Sequence, residues 1–226
     1  MSPFVQVAWG EGVSPPPAGL AVESTITGNI DALQSAHDIT LPSGIQNGNL
    51  AIMHVRFGAG TGSLSLPVSG WTTLRHSDSS GVVWVGYRVC DGSEGSTITL
   101  THNDATSRSS WLGYRISGQA ASSFIEHGYS TAMGTAPSVT PSWGSAENLW
   151  LDTLSARSSD WSVATPTNWS DQISGQNPTT TTSTRSKVVS VQRVHTASSL
   201  TAPSWDLTNG GGFGAERWLI IAVRPA

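Results

Sequence analysis

Apolar and polar residues alternate in short runs along most of this chain. In GVVWVGYRV (81–89), Val83 and Val85 fall on one face of a strand, and Val82 and Trp84 fall on the other, because successive side chains point to opposite sides of a sheet. Both faces are apolar, which predicts a central strand. Similar runs are NLAIMHVRF (49–57), LPVSGWTTL (66–74), STITLTH (96–102) and SSWLGYRISG (109–118). Such alternation predicts β-strands.

The remaining segments fit the same interpretation. Glycine-rich breaks suited to tight turns separate the runs, as in CDGSEG (90–95) and NGGGFG (209–214). Strand patterns begin at about Leu20, with VESTIT (22–27) and HDITLP (37–42). The segment closest to a helical period, NIDALQSAHD (29–38), supports a turn or two at most. The sequence therefore predicts an all-β fold.

The second part of the chain repeats the plan of the first. PSGIQNGNLA (42–51) aligns with PSWGSAENLW (141–150), and later landmarks keep their order. The matched residues are Trp71 with Trp169, Val83 with Val188, Arg88 with Arg193, Val89 with Val194, and Trp111 with Trp218. We predict a jelly-roll-like antiparallel β-sandwich spanning residues 20–226 and built from two weakly duplicated halves, 20–118 and 119–226. Two small separate domains remain the alternative.

Residues 1–19 differ from the rest and form an N-terminal arm with a proline-rich spacer. Phe4, Val5, Val7 and Trp9 are apolar, and the three prolines of the following GEGVSPPPAGL (10–20) favour an extended, unpaired conformation. One interpretation is an edge strand packed on its own domain. The other is an arm that docks on a neighbouring subunit, in which case these four apolar residues are the assembly contact.

Composition narrows the classes of partner. The formal net charge is -4, the pI is near 5.8 and only 12% of residues are charged, so there is no basic excess for nucleic-acid binding. The single cysteine, Cys90, cannot form an internal disulfide, and we expect a buried thiol at a strand end. No apolar run approaches the roughly 20 residues of a membrane span, and the start of the chain lacks signal-peptide features. We therefore expect a soluble protein, made in a cytoplasm, without membrane insertion.

Candidate catalytic and metal-binding residues form no recognisable set. The six histidines show no ligand spacing, and no G-x-S-x-G elbow occurs, so we expect no metal, no cofactor and no enzymatic activity. His54 and Arg56 lie on the strand face opposite Met53 and Val55, and we expect that face to be exposed to solvent. Four carboxylates fall in predicted turns, where acids commonly accept backbone N–H groups: Asp78, Asp91, Glu94 and Asp104.

Tryptophan, with ten residues, is the one compositional excess with a possible functional meaning. Of the ten, Trp71 and Trp169 occupy matched turns of the two halves. Packing beneath a turn is one interpretation, and contact with a sugar is the other, since an indole suits both. Trp84, Trp111, Trp150 and Trp218 fall inside predicted strands, so we expect them in the core.

From about residue 40 to the end, the chain resembles a known group of β-sandwich proteins. The motifs are NLAIMHV, LPVSGWTTL, VVWVGYRV, a DGSEG turn, TITLTH, WLGYRISG and a terminal WLIIAVRP. They are similar to the P-x-GWT turn, YRV strand and terminal RP strand of virion structural proteins, decoration or fibre proteins, of tailed bacteriophages. The second half departs from that pattern, because it lacks the glycine before Trp169 and the tyrosine of YRV.

The resemblance implies a function without catalysis. It implies a phage virion protein, either a capsid decoration protein or a component of a fibre or tail appendage, made in the host cytoplasm and located in the virion. Its partners would be other virion proteins and further copies of itself as a homo-oligomer. The alternative is a carbohydrate-binding module for host attachment, in which surface aromatic residues contact a host glycan.

Overall fold

The computed structural model describes residues 19–58, 62–77, 81–131, 135–157, 162–176, 185–205, 207–208 and 217–226, and the statements below concern these residues. All their regular elements are β-strands. None of them forms a helix long and apolar enough to cross a bilayer. The predicted assembly contact, Phe4, Val5, Val7 and Trp9, lies outside the described residues.

The first half of the chain forms one five-stranded sheet. Its strands are β1 (Ala21–Gln34), β3 (Leu50–Phe57), β4 (Thr72–Ser77), β5 (Val83–Val89) and β7 (Ser107–Ser117). They pair antiparallel in the order β1-β7-β3-β5-β4. Two further strands, β2 (Ala36–Thr40) and β6 (Thr97–Thr101), form a separate antiparallel pair. The segment that came closest to a helical period is thus divided between β1 and β2.

The second half forms a second sheet with the same connectivity. Its strands are β8 (Ile125–Ser130), β10 (Ala146–Ala156), β12 (Ser170–Gln176), β13 (Lys187–Ala197) and β16 (Arg217–Val223). They pair antiparallel in the order β8-β16-β10-β13-β12. A short pair, β9 (Ser138–Val139) with β14 (Leu200–Thr201), corresponds to the pair β2 and β6. The remaining strands, β11 (Ser162–Val163) and β15 (Leu207–Thr208), pair with each other.

Strand register confirms the duplication residue by residue. Leu50 pairs with Val89 and Ile116 in the first sheet. Leu149, its counterpart, pairs with Val194 and Val223 in the second sheet. The partners therefore occupy corresponding positions in the two sheets. The all-β sandwich of two duplicated halves is confirmed, and each half supplies one complete sheet.

A shared core lies between the two sheets. It consists of Leu50, Ile52, Val83, Val85, Leu112, Tyr114 and Ile116 from the first sheet, and Leu149, Leu151, Val188, Leu219, Ile221 and Val223 from the second. Full burial of one large apolar side chain contributes about 1.5 to 3 kcal/mol. The inner apolar faces therefore hold the halves together as a sandwich.

The outer face of each sheet has a core of its own. Trp84 and Phe57 on the first sheet are covered by Ile39 and Leu100 of the β2–β6 pair. On the second sheet, a corresponding cluster is covered by the β9–β14 pair and by Trp205. Three cores thus stack through four β layers. The four tryptophans expected in the core, Trp84, Trp111, Trp150 and Trp218, are all buried, and so is Cys90 just after β5.

The two sheets approach closely at Gly175 in β12. A Cβ atom on Gly175 would lie 2.1 Å from the backbone oxygen of Trp111 in β7. Backbone atoms cannot move aside as a flexible side chain can, so this contact requires a residue without a side chain. The edge strand of the second sheet is thereby held directly against the first sheet.

The link between the halves is fixed at both ends. The backbone N–H of Ala120 donates to the oxygen of Arg224 (3.0 Å), and the N–H of Ala226 donates to the oxygen of Gly118 (2.8 Å). The ring of Phe124 meets that of Tyr87 edge-to-face at 5.7 Å. The link therefore packs as part of the fold.

Candidate functional site

Trp71 packs beneath the turn that precedes β4. Its backbone N–H donates to the oxygen of Val68 (3.0 Å), and Gly70 takes the positive φ of 75° that the turn requires. The indole is 7% exposed and lies 5.7 Å from the ring of Trp84 at an interplanar angle of 64°. This burial favours packing over sugar contact at Trp71.

Trp169 occupies the matched turn of the second half but is more exposed to solvent than Trp71. Its N–H donates to the oxygen of Pro166 (3.1 Å), as in the first turn. Val189 stands where the first half has Trp84, so Trp169 lacks the large ring against which Trp71 packs. Trp169 is consequently half-buried. Of the two predicted sugar contacts, it is the more exposed one.

The sequence neighbours of Trp169 are polar and lie on an irregular stretch of backbone. Asn168 and Asp171 both have positive φ, 67° and 49°, which non-glycine residues rarely adopt. The Asp171 carboxylate accepts hydrogen bonds from Gln192 Nε2 (2.7 Å) and Ser170 Oγ (2.8 Å). These two bonds lower the pKa of Asp171. A partly exposed indole and a carboxylate thus lie two residues apart in the chain, and groups of these types can contact a sugar ring.

His54 and Arg56 do not face solvent, so that expectation was wrong. They do lie on the face opposite Met53 and Val55, but that face is the inner one, continuing from Leu50 and Ile52. His54 is 2% exposed and Arg56 is fully buried. Burial, followed by the neighbouring Arg56 charge, lowers the pKa of His54 to about 3. The second sheet covers both residues.

A buried carboxylate that the sequence analysis missed lies on the outer face of the second sheet. Asp152 in β10 is fully buried. It accepts hydrogen bonds from the indole N–H groups of Trp205 (2.6 Å) and Trp218 (3.0 Å). Burial raises the pKa of Asp152 well above its usual value, although these bonds oppose the shift. Two indole donors hold this carboxylate within the outer core of the second sheet, so Asp152 acts there as a structural acceptor.

The carboxylates expected in turns do satisfy backbone groups. Asp91 accepts from the N–H of Ser93 (2.8 Å), and Asp104 accepts from the N–H of Thr106 (2.8 Å). Glu94 accepts from the N–H of Asp91 (2.7 Å) and from Arg88 Nε (3.0 Å). Asp78 lies outside the described residues.

Glu94 also lines an open surface pocket between residues 40–45 and 92–96. Its carboxylate already accepts hydrogen bonds from the backbone of its own turn and an ion pair from Arg88. In the part of the chain that the structure describes, no group of three or more His, Cys, Asp or Glu side chains could hold a metal ion. The one acid that lines this pocket is therefore engaged within its own turn.

Comparison of the chain with protein-family models, with curated proteins and with solved structures finds no match.

Proposed function

We propose that this protein is a non-enzymatic virion structural component of a tailed bacteriophage, either a capsid decoration protein or part of a fibre or tail appendage. It acts by docking on other virion proteins and on further copies of itself. The observation that carries the proposal is the stack of three cores through four β layers. That packing makes a stiff body suited to presenting fixed surfaces, and the motif resemblance supports the same class.

Docking by such a body depends on shape and on apolar contact area. The closed sandwich keeps its geometry while its outer surfaces meet neighbouring proteins. The arm adds Phe4, Val5, Val7 and Trp9 to that contact. Each large apolar side chain buried against a partner contributes about 1.5 to 3 kcal/mol. Loss of the arm should therefore weaken incorporation into the particle.

The test uses particles grown with tagged protein supplied in place of the native copy. We expect the full chain in purified particles, and a strong reduction after deletion of residues 1–19 or after the double substitution of Phe4 and Trp9 by Ala. Gln6→Ala is the matched control within the arm and should incorporate normally. Absence of the full chain from purified particles would refute the virion assignment. Normal incorporation without residues 1–19 would refute the arm contact alone.

The second candidate function is carbohydrate binding for host attachment, and the half-buried Trp169, two residues before Asp171, favours it. A glycan array compares the wild type with Trp169→Ala and Trp71→Phe. Binding that is lost with Trp169→Ala and kept with Trp71→Phe would support adhesion through the second-half turn. No glycan bound by the wild type would rule this candidate out.

A further inference from the structure

An open pocket lies at one end of the β2–β6 pair, between residues 40–45 and residues 92–96. We call it the loop pocket. Its volume is about 440 Å³, which is within the range of sites that enclose a small ligand or a large side chain. Gly44, Gly92 and Gly95 in its walls have positive φ values of 70°, 90° and 72°, and no Cβ atoms narrow it there. The loop pocket therefore has room for a ring that enters from outside.

Hydrogen bonds hold the walls of the loop pocket in place. The N–H of Leu41 donates to the oxygen of Ser96 (2.8 Å) and joins the two walls. Arg115 Nη1 donates to the oxygen of Gly44 (2.8 Å) in the first wall. In the second wall, the side chain of Glu94 is 1% exposed and accepts from two N–H groups of its own turn. A pocket that is ordered before binding loses little conformational freedom when it is filled.

The lining of the loop pocket favours an apolar guest. Leu41 and Pro42 are buried in the first wall, and Ile45 packs against the outer core of the first sheet. The charge of the Glu94 carboxylate is balanced by its ion pair with Arg88 (3.0 Å). An aromatic ring can therefore bury apolar surface here without leaving this acid unpaired.

The N-terminal arm joins the fold close to the loop pocket. The described chain begins at Gly19, and β1 starts two residues later. Ser24 Oγ in β1 donates to the oxygen of Ser43 in the pocket wall (2.9 Å). The five residue steps from Gly19 to Ser24 span at most about 18 Å. The arm thus starts within a short distance of the one wall.

The spacer of the arm favours contact with another copy over a return to the pocket of its own chain. Residues 10–18 include Pro15, Pro16 and Pro17, which favour an extended conformation and resist a sharp reversal. In that conformation the nine residues cover about 28 Å. A spacer of this length carries residues 4–9 beyond the nearby wall and within reach of a neighbouring molecule.

We propose that the arm of one copy docks in the loop pocket of a second copy. The indole of Trp9 fills the pocket, and Phe4, Val5 and Val7 add apolar contact around it. An aromatic anchor in a preformed pocket is the kind of contact that dominates binding free energy at protein interfaces. The inference rests on the self-association included in the proposed function, and it names the surface that this association uses.

The experiment measures self-association of the full chain by sedimentation velocity over a series of concentrations. Trp9→Ala removes the anchor, and Gln6→Ala is the control within the arm. Thr40→Trp places a ring at an exposed position of the pocket wall and blocks the pocket. Thr101→Trp is the matched control, because Thr101 is exposed at the opposite end of the β2–β6 pair.

We expect the wild type, Gln6→Ala and Thr101→Trp to self-associate equally. Trp9→Ala and Thr40→Trp should each associate about 30-fold more weakly or worse, as for loss of an interface anchor. A mixture of Trp9→Ala with Thr40→Trp should recover part of the association, because the first supplies an intact pocket and the second an intact arm.

A monomeric wild type, or undiminished association of Thr40→Trp, would overturn the proposal. So would a mixture that associates no better than its two components, which is the result expected if the arm docks on its own chain. The particle experiment gives a separate answer. Self-association through the loop pocket without incorporation into particles would refute the virion assignment alone, and incorporation of a chain that is monomeric in solution would refute the docking of the arm in the pocket alone.

Discussion

His54 should make the sandwich sensitive to acid well above the pH at which carboxylates titrate. The unfolded chain protonates His54 near the ordinary pKa of 6.5, whereas burial delays protonation in the folded protein to about 3. Between those values the unfolded state binds the extra proton. Acid therefore favours unfolding across this window, and the stability present above pH 6.5 is lost progressively as the pH falls toward 3.

The size of this loss of stability follows from the shift in the pKa of His54. Each pH unit below 6.5 should cost about 1.4 kcal/mol of unfolding free energy from this one group, so about 2 kcal/mol should be lost by about pH 5. The perturbation is His54→Leu, which fills similar space on the inner face without a titrating ring. Its counterpart in the second half, Thr153, does not titrate either.

The assay is urea unfolding of wild type and His54→Leu at several pH values between about 7.5 and 5. The free-energy difference between the two proteins should shift by about 2 kcal/mol in favour of the variant as the pH falls. His37 and His127, whose pKa values burial also lowers, are present in both proteins and cancel in the difference. Parallel pH profiles for the two proteins would refute the reasoning.

Four further substitutions test other contacts by urea unfolding. Gly175→Ala should destabilise the fold by about 2 kcal/mol or more, because its Cβ meets the Trp111 backbone, and an unchanged midpoint would contradict that contact. Trp71→Ala should lower the unfolding free energy by about 3 to 5 kcal/mol, and Trp169→Ala should lower it clearly less, because only Trp71 is buried against another indole. Equal losses in the two variants would contradict this difference. Asp152→Asn should gain stability relative to wild type as the pH rises from about 4 to 8, because the carboxyl of wild type ionises more readily in the unfolded chain than in the folded one. A stability difference that does not change with pH would contradict the raised pKa of Asp152.

Much of the fold could be predicted because it depends on local alternation and on a repeat. The matched pairs Val83 with Val188 and Trp111 with Trp218 were found from sequence spacing, and their strands occupy equivalent places in the two sheets. The buried strand tryptophans followed from the same alternation. These features are encoded within each half, so no knowledge of distant contacts was needed.

The errors concern contacts between distant parts of the chain. Alternation correctly separated His54 from Met53, but it could not indicate that a second sheet covers the polar face. Asp152 was missed for the same reason, since its partners Trp205 and Trp218 are 53 and 66 residues away. One signal was available: a lone acid interrupts the otherwise apolar LWLDTL (149–154), where both strand faces are apolar and no solvent-facing position is left.

The division of the two sheets between two contiguous halves has a consequence during synthesis. The first sheet can complete its hydrogen bonding while the second half is still being translated on the ribosome. Until the second sheet arrives, the nascent sheet presents Leu50, Ile52 and Leu112 to water. His54 and Arg56 on that same face would then be hydrated, and a charged group in an uncovered apolar surface discourages aggregation with other unfinished chains.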